Sequence, residues 1–210
     1  MVAQIVRQAQ WCVTWPEPVV QIAATPAAER ILTAAADLFY RQGIRAVGVD
    51  AIAAAAGVTK KTLYDRFGSK DNLIAAYLQR RDETWHAFLD EQMVKRRATE
   101  PEQIILALFA ALTDWVAEHE RGCGFINAAA ELAEADHPAM PVIVGQKRWM
   151  RDEFAAQARR AGLRRPGELA DRLLLLHEGA LVTHQVAAMP QATQTATRAA
   201  RDLLATWPHH

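Results

Sequence analysis

The sequence predicts an all-α fold: a three-helix unit near the N-terminus, a long connecting helix, and a larger helical unit after it. Three observations lead there. From Thr25 onward, apolar residues recur at three- and four-residue spacing, the period of a buried helix face. These stretches are punctuated by capping residues and proline at their starts and by glycine at their ends. No stretch alternates polar and apolar residues between hairpin-turn signals, so strands are not expected.

Composition narrows the possibilities. Of 210 residues, 51% are apolar, enough for a sizeable core. Lys plus Arg and Asp plus Glu balance at 24 each, so any attraction for a polyanion has to be local. Cys12 and Cys123 stand far apart and fit no metal-site spacing, which favours a reducing, cytoplasmic setting. No apolar run reaches the ~18 residues of a membrane span. Residues 1–24 carry one cation, Arg7, and no continuous apolar segment, so they do not read as a signal peptide. Their weak periodicity predicts a loose arm, or a translation start placed too early.

The first helix opens at Thr25-Pro26, a cap followed by a first-turn proline. It buries Ile31, Ala35, Leu38 and Phe39 and stops at Gly43. A short second helix, from about Val49 to Ala56, lies between Gly48 and Gly57. Thr59 caps a third, from Lys60 to about Phe67, and Gly68 ends it. Ser69 caps a fourth that can run to about Arg97, roughly 40 Å at ~1.5 Å per residue, long enough to join two parts of a molecule. Thr99 and Glu102 have capping-box spacing around Pro101, and the helix they start should end near Gly122 and Gly124. "FINAAAELAEA", stopped by His137-Pro138, is the next. A helix ending at Gly162, "PGELADRLLLLHEGALVTHQVAAM" and "ATQTATRAARDLLATW" complete the set.

Helices two and three carry the functional signal. "AIAAAAG" is built from small side chains that allow close helix approach. "GVT" supplies a three-residue turn, and Leu63 and Phe67 point inward at i, i+4. This is the pattern of a helix-turn-helix, whose second helix enters the DNA major groove. Lys60, Lys61, Thr62, Tyr64, Asp65 and Arg66 are left for the outer face and the N-terminal end, where free backbone N–H groups favour phosphate. Residues 41–70 hold six cations (Arg41, Arg45, Lys60, Lys61, Arg66, Lys70) against two anions (Asp50, Asp65). An ordinary solvated helix face is the plain alternative, but it leaves the flanking turn and core positions unexplained.

Residues 26 to 73, from "RILTAAADLFYRQG" through "GVDAIAAAAGVTKKTLYDRFGSKDNL", resemble the DNA-binding domain of TetR-family (tetracycline-repressor-like) transcriptional regulators. The resemblance implies phosphate contacts at Tyr64 and Lys70 and recognition-helix contacts at Lys60, Lys61, Thr62 and Arg66. Gly48 stands where many members carry a Ser or Thr that caps the second helix and touches phosphate; Arg45 is the nearby cation that would compensate. "RGCGFINAAAEL" and "HPAMPVIVGQKRWM" also look like a TetR subgroup. The division this implies is an arm over 1–24, a DNA-binding domain over 25–70, and an effector-binding and dimerisation domain over 71–207. Repression, released by a small-molecule effector, is implied by the same resemblance.

Dimerisation also has a reading of its own. Leu173 to Leu176 place apolar groups around most of one helix, and Ala196, Ala199, Ala200, Leu203, Leu204 and Trp207 repeat along the next. Residues 166–207 therefore suit a homodimer interface built as a four-helix bundle, or the closing layer of a monomer's core. A two-fold dimer demands a two-fold-related operator in double-stranded DNA. Trp115, Phe125, Asn127, Glu131, Trp149, His177 and His184 could line an effector cavity, or simply pack; Asn127 and Glu131 share a face. Two histidines seven residues apart make no metal site, and no cofactor motif is present. His209 and His210 read as a tail. No serine elbow, phosphate-cradling loop or metal-protease helix points to an enzyme. The rival reading is a helical small-molecule-binding or adaptor protein whose basic face meets another anionic partner.

Overall fold

The computed structural model describes residues 11–14, 18–119, 121–132 and 136–210. Among these residues there are nine α-helices: α1 (Pro26–Gln42), α2 (Val49–Ala56), α3 (Lys60–Phe67), α4 (Lys70–Arg96), α5 (Pro101–Glu118), α6 (Gly124–Glu131), α7 (Met140–Arg160), α8 (Pro166–Gln185) and α9 (Ala192–Thr206). The extended pairing among them is one isolated bridge, Leu163 to His209. The all-helical expectation holds.

The helices form where local chemistry starts and stops them. Thr25 accepts a hydrogen bond from the Ala28 N–H at 3.2 Å, and Gly43, at φ 91°, ends α1. Ser69 Oγ accepts from the Asn72 N–H at 3.0 Å and starts α4. At α5 the capping box is formed by Glu100 and Gln103, one residue on from the expected Thr99 and Glu102. Pro101 occupies the first helical position, which makes Glu100 the cap and sets the register. Helix α6 is shorter than the sequence suggests and ends at Glu131; residues 133–135 lie outside the described set.

The described chain packs as two compact units. One holds residues 18–84 with Cys123–Gln146; the other holds 11–14, Trp85–Gly122 and Lys147–His210. The division between these units falls within α4, between Thr84 and Trp85. Leu73, Ile74 and Tyr77 are buried, and Tyr77 packs on Phe39 with ring centroids 5.6 Å apart, so the first turns of α4 complete the small unit's core. That core also contains Ile31, Ile52 and Leu63, each fully buried. Leu38, expected on the same face, is only half-buried, and Leu32 takes the inner position. In the larger unit α9 packs on α8 and α5, over a core that includes Leu108, Phe109, Phe154 and Leu173.

Two terminal segments differ from expectation. Within 1–24, the described residues are not a loose arm: Val20 donates its N–H to Gln79 Oε1 at 3.2 Å, and Cys12 and Val13 bond to Glu153. These contacts are made by main-chain groups, which periodicity cannot register. Nor are His209 and His210 a free tail. His209 forms the bridge with Leu163, and the His210 N–H donates to the Gly162 carbonyl at 3.1 Å.

Candidate nucleic-acid interface

The turn between α2 and α3 is built by backbone geometry. Gly57 adopts the left-handed conformation, φ 62° and ψ 41°. Its N–H bonds to Ala54 O at 3.1 Å, and the Val58 N–H reaches Ala53 O at 3.0 Å. That is a Schellman stop, and glycine enters it without steric cost. Thr59 then caps α3: its Oγ1 accepts from the Thr62 N–H at 3.1 Å and pairs with the Thr62 hydroxyl at 2.8 Å. Leu63 and Phe67 anchor the helix in the core. The opposite face is fixed outward as a result.

That face carries the expected cations. Lys60, Lys61, Tyr64 and Arg66 are exposed, Tyr64 by 40%. Lys60 Nζ meets Asp50 Oδ2 at 3.1 Å, and Lys61 Nζ meets Asp65 Oδ2 at 2.7 Å. Exposed pairs of this kind are worth ~1 kcal/mol or less, so a phosphate can replace the carboxylates. Arg66 has no ion-pair partner among the described residues. Thr62 is half-buried, its hydroxyl shared with Thr59.

Lys70 and Arg45 make contacts that the sequence reading did not name, and Gly48 stands as that reading has it. Lys70 is half-buried; its Nζ donates to the Ile44 carbonyl at 2.7 Å and lies 5.9 Å from the Phe39 ring centre. It ties α4 to the loop after α1 and has N–H capacity left for a phosphate. Arg45 donates its backbone N–H to Glu131 Oε2 at 2.7 Å and its Nε–H to the Glu131 carbonyl at 2.6 Å. Glu131 is thereby placed beside the loop after α1, where a side chain on Gly43 would come within 3.1 Å of its carboxylate. Gly48 caps α2 with no side-chain bond, and the space beside it is open to 4 Å.

The effector-cavity candidates divide between the two units. Phe125, Asn127 and Glu131 belong to the smaller; Trp115, Trp149, His177 and His184 belong to the larger. In the larger unit Trp115 meets Trp85, Phe88 and His119 at ring distances of 5.1, 5.1 and 3.8 Å. His177 is buried against Phe109 and Phe154, and its ring nitrogens have no hydrogen-bond partner among the described residues. Glu178 Oε1 lies 3.6 Å from His177 Nδ1, beyond hydrogen-bond reach. Burial pushes the Glu178 carboxyl upward, but His177 and the Lys147 ammonium at 2.8 Å outweigh it and bring it down to about 2. His184 Nδ1 is also buried without a partner.

Sequence reasoning missed the residues around Trp149. Glu153 is fully buried, and desolvation pushes its carboxyl above the ordinary range, against bonds from Gln157, Val13 and Cys12 and the charge of Arg160. His86 packs on Trp149, ring centres 4.9 Å apart, and burial depresses its pKa to about 3. A signal was available: Trp149, Glu153 and Gln157 fall at i, i+4, i+8 beside Met150, Phe154 and Ala158, so two polar groups sit on an apolar face. Among the described residues no group of three or more His, Cys, Asp or Glu could hold a metal ion, and no helix is long and apolar enough to cross a membrane.

Known proteins share this arrangement. Residues 31–77 match the profile of a family described as "Bacterial regulatory proteins, tetR family". Over 117 residues the chain is 31% identical to the HTH-type transcriptional activator FasR of Mycolicibacterium smegmatis; the match spans 56% of this chain and 50% of that protein, so the chain spans about half its length. A TetR-family transcriptional regulator from Streptomyces coelicolor has a TM-score of 0.77 at 28% identity, over 85% of this chain and 94% of that one. A TetR-type regulator from Streptomyces avermitilis gives 0.70 at 31% identity, over 85% and 99%.

Proposed function

Because this chain belongs to the TetR family of DNA-binding transcriptional regulators, we propose that it acts as a homodimeric repressor whose hold on a two-fold-related operator is released by a small-molecule effector. One observation supports DNA contact at α3 above all others: Lys60, Lys61, Tyr64 and Arg66 share the exposed face of a helix locked by Gly57 and Thr59. Lysine and arginine on phosphates supply affinity through counterion release, and hydroxyls and backbone N–H groups set register. Gly48, Thr62, Arg45 and Lys70 frame this face, with Lys70 and Arg45 acting first as struts for the loop after α1.

Support for the dimer comes from α8. Leu175, Val182 and Val186 are 73%, 41% and 65% exposed, and with Gly179 they fall at i, i+4, i+7 and i+11. An apolar stripe with a glycine at its centre suits close packing against the same helix of a second copy. In a dimer the two copies of α3 must meet successive major-groove faces, ~34–36 Å apart or a multiple of it. An effector bound in the larger unit releases DNA only if it prefers a state with another spacing. Trp115, Trp149, His177 and His184 are the candidates there. The working compartment is the one that holds the DNA, the cytoplasm.

Activation is the second reading, favoured by the name of the M. smegmatis relative. The same dimer blocks or recruits polymerase according to where its operator lies. Selection from a random duplex pool tests the core reading: enriched sites should be two-fold related, and Lys60→Ala/Lys61→Ala should lose them while remaining helical and dimeric. A pool that never enriches, or binding indifferent to salt, would sink it. A promoter-reporter fusion to the selected site separates repression from activation.

A further inference from the structure

Residues 11–13 sit on the larger unit as a ligand sits in a site. Trp11 sets its ring edge-on to Trp149, with centroids 5.5 Å apart at 68°, and its Nε1–H donates to Asp90 Oδ1 at 2.7 Å. The N–H groups of Cys12 and Val13 both donate to Glu153 Oε2, at 3.0 and 2.9 Å. Trp149 Nε1–H donates in turn to the Val13 carbonyl at 3.2 Å.

The receiving side is a buried polar group set in an aromatic wall. Glu153 is 0% exposed, and a buried carboxylate is costly unless its lone pairs are filled. Gln157 supplies one bond from within α7, at 2.6 Å to Oε1. The Cys12 and Val13 amides supply the others. Arg160 links the two sides, bonding Gln157 Oε1 at 3.1 Å and reaching Cys12 Sγ at 3.7 Å. His86 closes the aromatic wall beside Trp149. On the arm's side these hydrogen bonds involve one indole, three main-chain groups and the Cys12 sulfur. A free molecule with the same groups can make them equally well.

We propose that Trp149, Glu153 and Asp90 form a binding site for a small aromatic molecule bearing neighbouring N–H donors, of the indole-amide kind, and that residues 11–13 are its internal occupant, so that arm and ligand exclude each other. This deepens the ligand-response reading and rests on it for its regulatory meaning; its test contains no DNA, so the two can fail separately.

The probe is the peptide Ac-Trp-Cys-Val-Thr-Lys-NH2, labelled on the lysine side-chain amine and titrated in reducing buffer against full-length chains by fluorescence anisotropy. Trp11→Ala, which frees the arm, should bind it at least about tenfold more tightly than the unaltered chain. Adding Glu153→Gln should undo that gain by about tenfold. Hydrogen exchange on the unaltered chain gives a second reading that needs no variant: the Cys12 and Val13 amides should be protected. Equal peptide affinity for the unaltered and Trp11→Ala chains, or exchange of those amides at unstructured-chain rates, overturns the proposal.

Discussion

Lys60 and Lys61 each hold a carboxylate that a phosphate can displace, and this makes their contribution measurable one residue at a time. Changing either to Ala should weaken DNA binding about equally across sequences and lower the slope of log K against log salt by roughly 0.9, one phosphate's worth. An unchanged slope would mean that the residue never leaves its acidic neighbour. Gly48 offers the opposite experiment. The space beside it is open and its φ of −85° suits any residue. Gly48→Ser should stabilise α2 by a few tenths of a kcal/mol through a side-chain cap, and tighten DNA binding by adding a hydroxyl at the helix end. Denaturant melts and anisotropy titrations read the two effects independently. Gly57 tolerates no such change: nothing crowds it, yet at φ 62° a Cβ costs about 1 kcal/mol.

At the level of elements, helix α3 is short and depends on its cap. Thr59→Ala removes the acceptor for the Thr62 N–H and frees the Thr62 hydroxyl. The expected cost is about 1 kcal/mol of unfolding free energy, with a larger proportional loss of DNA affinity because α3 frays from the end proposed to meet phosphate. The sequence made α1 to α4 legible because their caps and apolar faces are local signals: Thr25, Gly43, Gly57, Thr59 and Ser69 all act where they stand. It misplaced the α5 cap by one residue because Thr99 and Glu100 both offer acceptors and only the proline's position decides between them. It could not show that Glu131 and Arg45, 86 residues apart, would meet, or that Cys12 would find Glu153 across 141 residues. Contacts through main-chain N–H groups leave no trace in side-chain patterning.

For the whole molecule, assembly and acid response are the properties to measure. A charge on the exposed stripe, Val182→Lys with Leu175→Lys, should yield a monomer by light scattering. It should also weaken operator binding steeply, since each half-site then binds alone. His86 is buried and its folded pKa is depressed from 6.5 to about 3, so its contribution to stability is present above pH 6.5 and is lost as pH falls toward 3. Glu178, lowered from 4.5 to about 2, adds a second loss at lower pH. The melting temperature should therefore decline between pH 6.5 and 4, and His86→Gln should flatten that decline. The bridge at Leu163 sets a rule for anyone trimming the chain. Stopping at Thr206, where α9 finishes, would strip the Trp207 indole from Arg164 O (2.6 Å), Pro208 O from the Arg164 N–H (2.8 Å) and the His210 N–H from Gly162 O (3.1 Å). Three main-chain atoms in a distant turn would lose their mates in one cut, so residues 207–210 have to be kept with α9.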